Sequence, residues 1–312
     1  MKDRNSMSSL DAKLAHLRLP LEDIVIATKD FAEENLLKRG GKADVYKGLL
    51  MRWSEPDIDV VIWRYSQVLD SHEGIDRSIR WSKELYFLEE IDKISDLRHR
   101  NVASLIGFVD EKGERMIVME HVVNGSLDKY LNDPTLTWSQ ILHICFGVAL
   151  ALRYKHEKTP YFYKGGFKVL LDEDWGAKVL VCIDSELENS YVYSFGVILL
   201  EVLSGRKLTN EDVNQYRCKM ALNHEQLDII PPNLRTQMHT KSLSILSEII
   251  YNCLKEQPDQ QPTYMFHQIV ERVYKAFEIQ WKHENLSLDN KILALSQPTL
   301  PTDNVSLAIN IE

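Results

Sequence analysis

The sequence predicts an α+β chain built as two lobes, a small one rich in strands with one helix and a larger one made of helices. Three observations carry this. β-branched runs and glycine turns crowd the first third of the chain. Apolar residues at helical spacing take over after Asn124-Gly125. The stretch Tyr191 to Ser204 is apolar almost all round, as befits a helix buried at the centre of its lobe. With 312 residues, of which 44% are hydrophobic and 27% charged, the chain can bury a sizeable core, and wholesale disorder is excluded.

The elements follow in order. Residues 1–17 are polar and are expected to be a flexible N-terminus. Leu21 to Ala27 reads as a short helix entering the loop Thr28-Lys29-Asp30-Phe31. Residues 38–48, with Gly40 and Gly41 at their head, read as a glycine turn leading into a strand, and Ile58 to Trp63 as the next strand. Leu85, Leu88, Ile91 and Ile94 recur at helical spacing and place an amphipathic helix over 81–95. Residues 102–109 and 115–119 read as two further strands. Thr137-Trp138-Ser139-Gln140 has capping-box spacing, and the helix it opens carries Ile141, Ile144, Cys145, Val148 and Leu152 on one face. Gly205 is placed to cap the buried helix that precedes it. Residues 242–256 and 263–281 read as two more amphipathic helices, and 282–312, with Pro298 and Pro301 and no strong period, as a tail. One domain over 18–281 results, with its lobes meeting near residues 120–121.

Charge and cysteine content narrow the function classes. Thirty-seven basic against 46 acidic residues leave a net charge of −9, which excludes nucleic acid and anionic lipid as main partners. Cys145, Cys182, Cys218 and Cys253 are far apart and form no CxxC, so neither a metal site nor a disulfide framework is supported. No charged-then-apolar leader opens the chain, Lys2 excludes N-myristoylation, and no apolar run is long enough to span a bilayer. A cytoplasmic chain is expected.

Several ordered motifs then stand out: Leu19-Pro20-Leu21-Glu22-Asp23-Ile24 with Ala27-Thr28-Lys29-Asp30-Phe31, Val45-Tyr46-Lys47-Gly48, Leu97-Arg98-His99-Arg100-Asn101, Asn124-Gly125-Ser126-Leu127, and Tyr193-Ser194-Phe195-Gly196-Val197 through Gly205-Arg206. With these the chain resembles a eukaryotic protein kinase domain over about 18–281, and more closely the plant receptor-like kinases of the FERONIA (malectin-receptor) type. The resemblance implies a bilobal kinase fold, ATP, and Mg²⁺. Phosphoryl transfer then needs positioned phosphates, metal ligands and a carboxylate to take the hydroxyl proton.

Position by position, this sequence departs from that requirement. Gly40 and Gly41 remain in the glycine loop, but Lys38 and Ala43 stand where its outer glycines belong. Trp63 replaces the phosphate-holding lysine, and an indole brings one donor and no charge. Arg64 is adjacent but points to the opposite face of the strand. Glu90, which matches the lysine's helical partner, therefore has no partner there and is expected to be solvated or locally paired. Counting back from Leu170-Leu171-Asp172, Tyr163 takes the place of the catalytic base, Gly165 that of the loop lysine, and Lys168 that of the metal-binding asparagine. Val181-Cys182-Ile183 stands where the second metal ligand should begin, and hard Mg²⁺ requires oxygen ligands. Only residues 184–190 remain for an activation segment, about 25 Å of chain at full extension. Gln261 replaces the arginine that would pair with the glutamate of the segment's missing A-P-E motif, so both ends of one ion pair are lost together. Tyr191 replaces the aspartate that begins the central helix.

The expectation is a pseudokinase with no catalytic residue and no metal, acting through protein partners, with a receptor-like kinase implied by the resemblance. That partner would bring it to the inner face of the plasma membrane. A pocket of Gly40, Gly41, Lys42, Val45, Val61, Met119, Val122 and Leu170 is the candidate for weak, metal-independent ATP binding, with Lys168 facing a phosphate. The alternative is an active serine/threonine kinase in which Lys42 supplies the missing lysine.

Overall fold

The computed structural model describes residues 2–51, 56–65, 77–159, 166–181, 190–221, 229–255 and 265–296. Its first lobe is an antiparallel sheet of β1 (Leu36–Lys38), β2 (Ala43–Leu50), β3 (Ile58–Tyr65), β4 (Leu105–Glu111) and β5 (Glu114–Glu120), in the order β1-β2-β3-β5-β4. The two-residue alternation of β3 divides its faces. Val60 and Ile62 join Ile24 and Ala27 of helix α2 (Leu21–Ala27) in a small core on one face. Trp63 and Tyr65 pack on the other face against the main core, which includes Phe87, Leu88 and Ile91 of α3 (Arg77–Ser95). Gly48 permits α2 to lie close: a Cβ there would stand 2.9 Å from Ile62 Cδ1 and 3.2 Å from the Ala27 carbonyl.

The N-terminal stretch expected to be loose is instead helical. Helix α1 (Lys2–Leu14) lies against α3 and the 3₁₀ turn that follows it (Ala15–Leu17) against β4, with Leu14 fully buried at 0% exposure. Lys13 pairs with Asp92 of α3 at 2.5 Å. Beyond the turn, the Leu19 amide donates to the Phe108 carbonyl at 2.9 Å, and Gly107 leaves room for the approach, since a Cβ there would meet the Leu17 carbonyl at 2.5 Å. A short polar helix has little stability of its own; burial of Leu14 and Leu17 against α3 supplies it.

In the second lobe the capping box forms as the spacing predicts. The Gln140 amide donates to Thr137 Oγ1 at 3.3 Å while the Thr137 amide donates to Gln140 Oε1 at 2.8 Å, opening α4 (Trp138–Lys158). Helix α5 (Tyr191–Ser204) starts at Ser190, whose Oγ accepts the Tyr193 amide, and stops at Gly205 in the left-handed region with φ +65°. Helices α6 (Asn210–Ala221), α7 (Pro232–Arg235), α8 (Thr240–Lys255) and α9 (Met265–Ser296) follow.

Two expectations need correction here. A second sheet, β6 (Gly125–Ser126), β7 (Phe167–Leu171) and β8 (Ala177–Val181), which the sequence reading did not place, lies in the α-rich lobe. Its hairpin turn is closed by Asp172 Oδ1, which accepts the Asp174 and Gly176 amides at 3.1 and 2.6 Å. Helix α9 also runs past Trp281, where the sequence reading stopped it and began a tail. Side-chain links one turn apart, Lys282–Glu278 at 2.7 Å and Gln280–Glu284 at 2.8 Å, support that extension.

The lobes are tied by backbone pairing. Val179 of β8 donates to the Asn101 carbonyl at 2.7 Å, and Ala103 donates to the Val179 carbonyl at 2.9 Å. One hydrophobic cluster runs through both lobes, from Leu14 to Ala276. The hairpin β7–β8 is thereby held beneath the inner face of the five-stranded sheet.

Candidate functional site

The cleft between sheet and hairpin holds a cavity of about 120 Å³. Trp63, Tyr65, Ile117 and Met119 wall it from the sheet, and Lys168, Leu180 and Val181 from the hairpin. Trp63 sits between Val45 on β2 and Ile117 on β5 in register, and packs against the main core. The Tyr65 ring meets Phe87 edge-on at 6.0 Å. These aromatic side chains occupy the part of the cleft where the resemblance expects a lysine and phosphates, and the remaining volume is below the roughly 300 Å³ at which small-molecule sites begin.

Lys168 and Val181 lie on neighbouring strands, Lys168 facing Leu180 and Val181 facing Phe167 in the ladder. Both wall the cavity, so the structure brings Trp63, Met119, Lys168 and Val181 together. The donor set does not fit Mg²⁺: an ammonium and an isopropyl group stand at the two positions in question, and neither offers an oxygen. Among the described residues, no three His, Cys, Asp or Glu side chains converge on one point.

The glycine turn is used internally. A Cβ on Gly40 would lie 2.3 Å from the Ala43 carbonyl, so glycine is required for the turn to close, whereas Gly41 faces open space. The Gly40 amide donates to Asp44 Oδ1 at 3.1 Å. That amide already has an acceptor, and the acceptor is an anion that would repel phosphate. Lys42 is exposed at the start of β2. Lys42, Val45, Val61, Val122 and Leu170 do not wall the cavity, nor do Gly40 and Gly41. In the connection between the lobes, the His121 amide donates to the Asp59 carbonyl and the Val122 carbonyl accepts the Gly125 amide, which engages two backbone groups there.

Glu90 of α3 is paired with Lys93, one turn on in its own helix. Arg64 lies on the far face of β3: its guanidinium grips Glu114 through two hydrogen bonds of 2.9 and 2.8 Å and covers the Phe31 ring at 4.1 Å. It is therefore turned away from the cleft and does not replace Trp63. Tyr163 and Gln261 lie outside the described residues, as do Tyr161, Phe162, Gly165, Cys182, Ile183 and residues 184–189.

Lys155 does not wall the cavity and is an unexpected buried charge in the helical lobe. It comes from the last turn of α4, is 4% exposed, and points its ammonium at the Tyr191 ring. Burial, with a smaller push from the charge of Lys93, lowers its pKa to about 7. Cys145, higher on the same helix, is a buried thiol whose pKa burial pushes up to about 12, consistent with an inert core residue.

Sequence reasoning missed Tyr65, Ile117 and Leu180 as cavity walls. Tyr65 was legible by strand alternation from Trp63. Ile117 and Leu180 depend on ladder register, which one strand alone does not reveal.

Residues 32–161 match the family described as protein tyrosine and serine/threonine kinase. The chain is similar to three proteins of Arabidopsis thaliana. It is 28% identical over 292 residues to cysteine-rich receptor-like protein kinase 7, covering 79% of this chain and 42% of that one. It is 29% identical over 302 residues to receptor-like protein kinase ANXUR2, covering 82% and 33%. It is 32% identical over 287 residues to receptor-like protein kinase THESEUS 1, covering 78% and 32%. The chain thus spans 32–42% of the length of these relatives. Among the described residues no helix is long and apolar enough to cross a membrane.

Proposed function

We propose that this protein kinase domain, whose homologues are plant receptor-like kinases, is a pseudokinase that works by binding other proteins. The observation that carries the reading is the wall of the cleft. Trp63 fills the place of the phosphate-holding cation, while Lys168 and Val181 stand at the two metal-ligand positions. Positioning and electrostatics make up nearly all of phosphoryl-transfer catalysis, and the groups act as a unit. With the lysine and both oxygen ligands replaced, no single rescue rebuilds the site.

The partner we propose is the kinase domain of a receptor-like kinase, met at the inner face of the plasma membrane. The reasoning is that a kinase-shaped body retains docking surfaces when its chemistry is lost. Any nucleotide binding would be weak and metal-independent, with the Lys168 ammonium on a phosphate.

The relatives are named as protein kinases, which favours an active enzyme as a second reading; in that reading we propose a serine/threonine kinase in which Lys42 serves as the lysine. One experiment separates the two. Melting of the purified chain is followed with ATP, with and without Mg²⁺ and with EDTA, alongside phosphate transfer to a generic substrate. The pseudokinase reading expects no transfer and no Mg²⁺-dependent rise in Tm. Transfer that disappears in Lys42→Ala would overturn it.

A further inference from the structure

A second cavity, of about 230 Å³, lies away from the cleft between α4, the β7–β8 turn and α9. Its walls include His143 from α4, Trp175 from the turn, and Phe277 and Trp281 from α9, four aromatic rings from three elements. Asp174 completes the part of the wall that matters here.

Three features set this cavity apart from an ordinary crevice. The His143 and Phe277 rings stand 5.7 Å apart and are tilted by 56° to one another. Trp175 adopts φ +62°, a conformation that bulky residues rarely accept, and its ring is braced edge-on by Tyr130 at 5.1 Å. The turn therefore holds a strained backbone that places an indole on this cavity. Trp281 is 53% exposed, a large apolar surface left uncovered.

The chemistry of the wall selects the ligand. Aromatic faces carry negative quadrupole charge and attract cations, tryptophan most strongly. Asp174 adds a formal negative charge at the rim, and no ion pair engages its carboxylate among the described residues. The net charge of −9 favours the same sign of ligand. We propose that this cavity binds a small quaternary organic ammonium ion. The aromatic wall, to which Trp175 and Trp281 bring the indoles, takes the alkylated cationic centre, and Asp174 offsets its charge. The volume suits a ligand smaller than the drug-sized molecules that fill about 300 Å³ or more. The proposal is independent of whether the cleft binds nucleotide.

The test is calorimetric titration of the whole chain with choline, tetramethylammonium and 3,3-dimethyl-1-butanol, the uncharged isostere of choline. Working at about pH 8 keeps an ordinary histidine neutral. Choline should saturate the site with Kd at or below roughly 1 mM, and the isostere should bind at least tenfold more weakly. Trp281→Ala and Asp174→Asn should each weaken choline by about fivefold or more, about 1 kcal/mol of cation–π or charge interaction. Trp281 and Asp174 are exposed, and thermal melts of the variants establish that they remain folded. Absence of saturable choline binding, equal binding of the neutral isostere, or affinity unchanged in both Trp281→Ala and Asp174→Asn overturns the proposal.

Discussion

The Lys155 ammonium lies 4.0 Å from the centroid of the Tyr191 ring. Tyr191 begins α5 at the position where the resemblance expects an aspartate, and it faces a buried lysine on α4. A cation over a ring face regains part of the hydration lost on burial. It does not regain all of it, and the amine is held near pKa 7.

Stability should therefore depend on pH above neutrality. The unfolded lysine has a pKa near 10.4, so between about pH 7 and 10 the unfolded chain binds the extra proton and the folded chain does not. Stability from this group rises with pH across that window, by up to ~1.4 kcal/mol per unit, and the dependence ends below the folded pKa. Urea unfolding at pH 7 and pH 9 measures it. Lys155→Met should lose the slope, and Tyr191→Asp should reduce it by placing a carboxylate beside the amine. An unchanged slope in Lys155→Met would remove this assignment.

Restoring one missing group should not restore catalysis. Trp63→Lys returns the lysine to β3, but Glu90 is already engaged by Lys93 and no oxygen stands at Lys168 or Val181. We expect no phosphate transfer, and a loss of about 2 kcal/mol from withdrawing a half-buried indole. Measurable transfer by this variant would show that the cleft lacks only its lysine.

Glu201 of α5 is buried and depends on a neighbour. Lys207 Nζ lies 2.8 Å from its carboxylate, and the Leu208 amide donates to the other oxygen at 3.2 Å. Lys207→Met leaves that carboxylate in the core with one amide donor. The expected cost is ~2 kcal/mol, less than for a fully buried pair because the ammonium is half exposed. Glu201→Gln in the same background should recover most of the loss in Tm, since it removes the stranded charge.

Gly107→Ala should detach the N-terminal segment from the sheet. Its Cβ would collide with the Leu17 carbonyl, a backbone atom, at 2.5 Å. A cost of about 1–3 kcal/mol is expected. Hydrogen exchange at Leu19, whose amide is bonded to the Phe108 carbonyl, should accelerate far more than exchange within α5. Equal protection in variant and parent would mean that the segment moves as a unit to make room.

Much of the fold was legible because its signals are local. Thr137 and Gln140 announce a helix start by spacing alone, and Gly205 marks a helix end by the conformation only glycine takes easily. Alternation along β3 separated Trp63 from Arg64 correctly. The losses lie where stability comes from elsewhere in the chain. Helix α1 was read as loose from its polarity, although Met7, Leu10, Leu14 and Leu17 recur at intervals of three and four, which is the stripe it lays against the core. The hairpin β7–β8 is hard to read because its two strands of five residues each are short and pair with one another inside a mostly helical lobe, although Val169 and Leu171, then Ala177 and Val179, alternate. The cleft was legible position by position through the resemblance. Its size was not, because volume depends on how Trp63 and Tyr65 pack together.

The clasp of α1 on α3 bears on how the molecule meets other proteins. Lys13 reaches Asp92, Leu14 is sealed beneath, and the strand-like link from Arg18 to Phe108 fastens the far end. A helix anchored from Met7 to its C-terminal end has little orientational freedom left to surrender. Association through this face would forfeit little ordering entropy, and encounter would be limited by diffusion and orientation rather than by waiting for a rare shape.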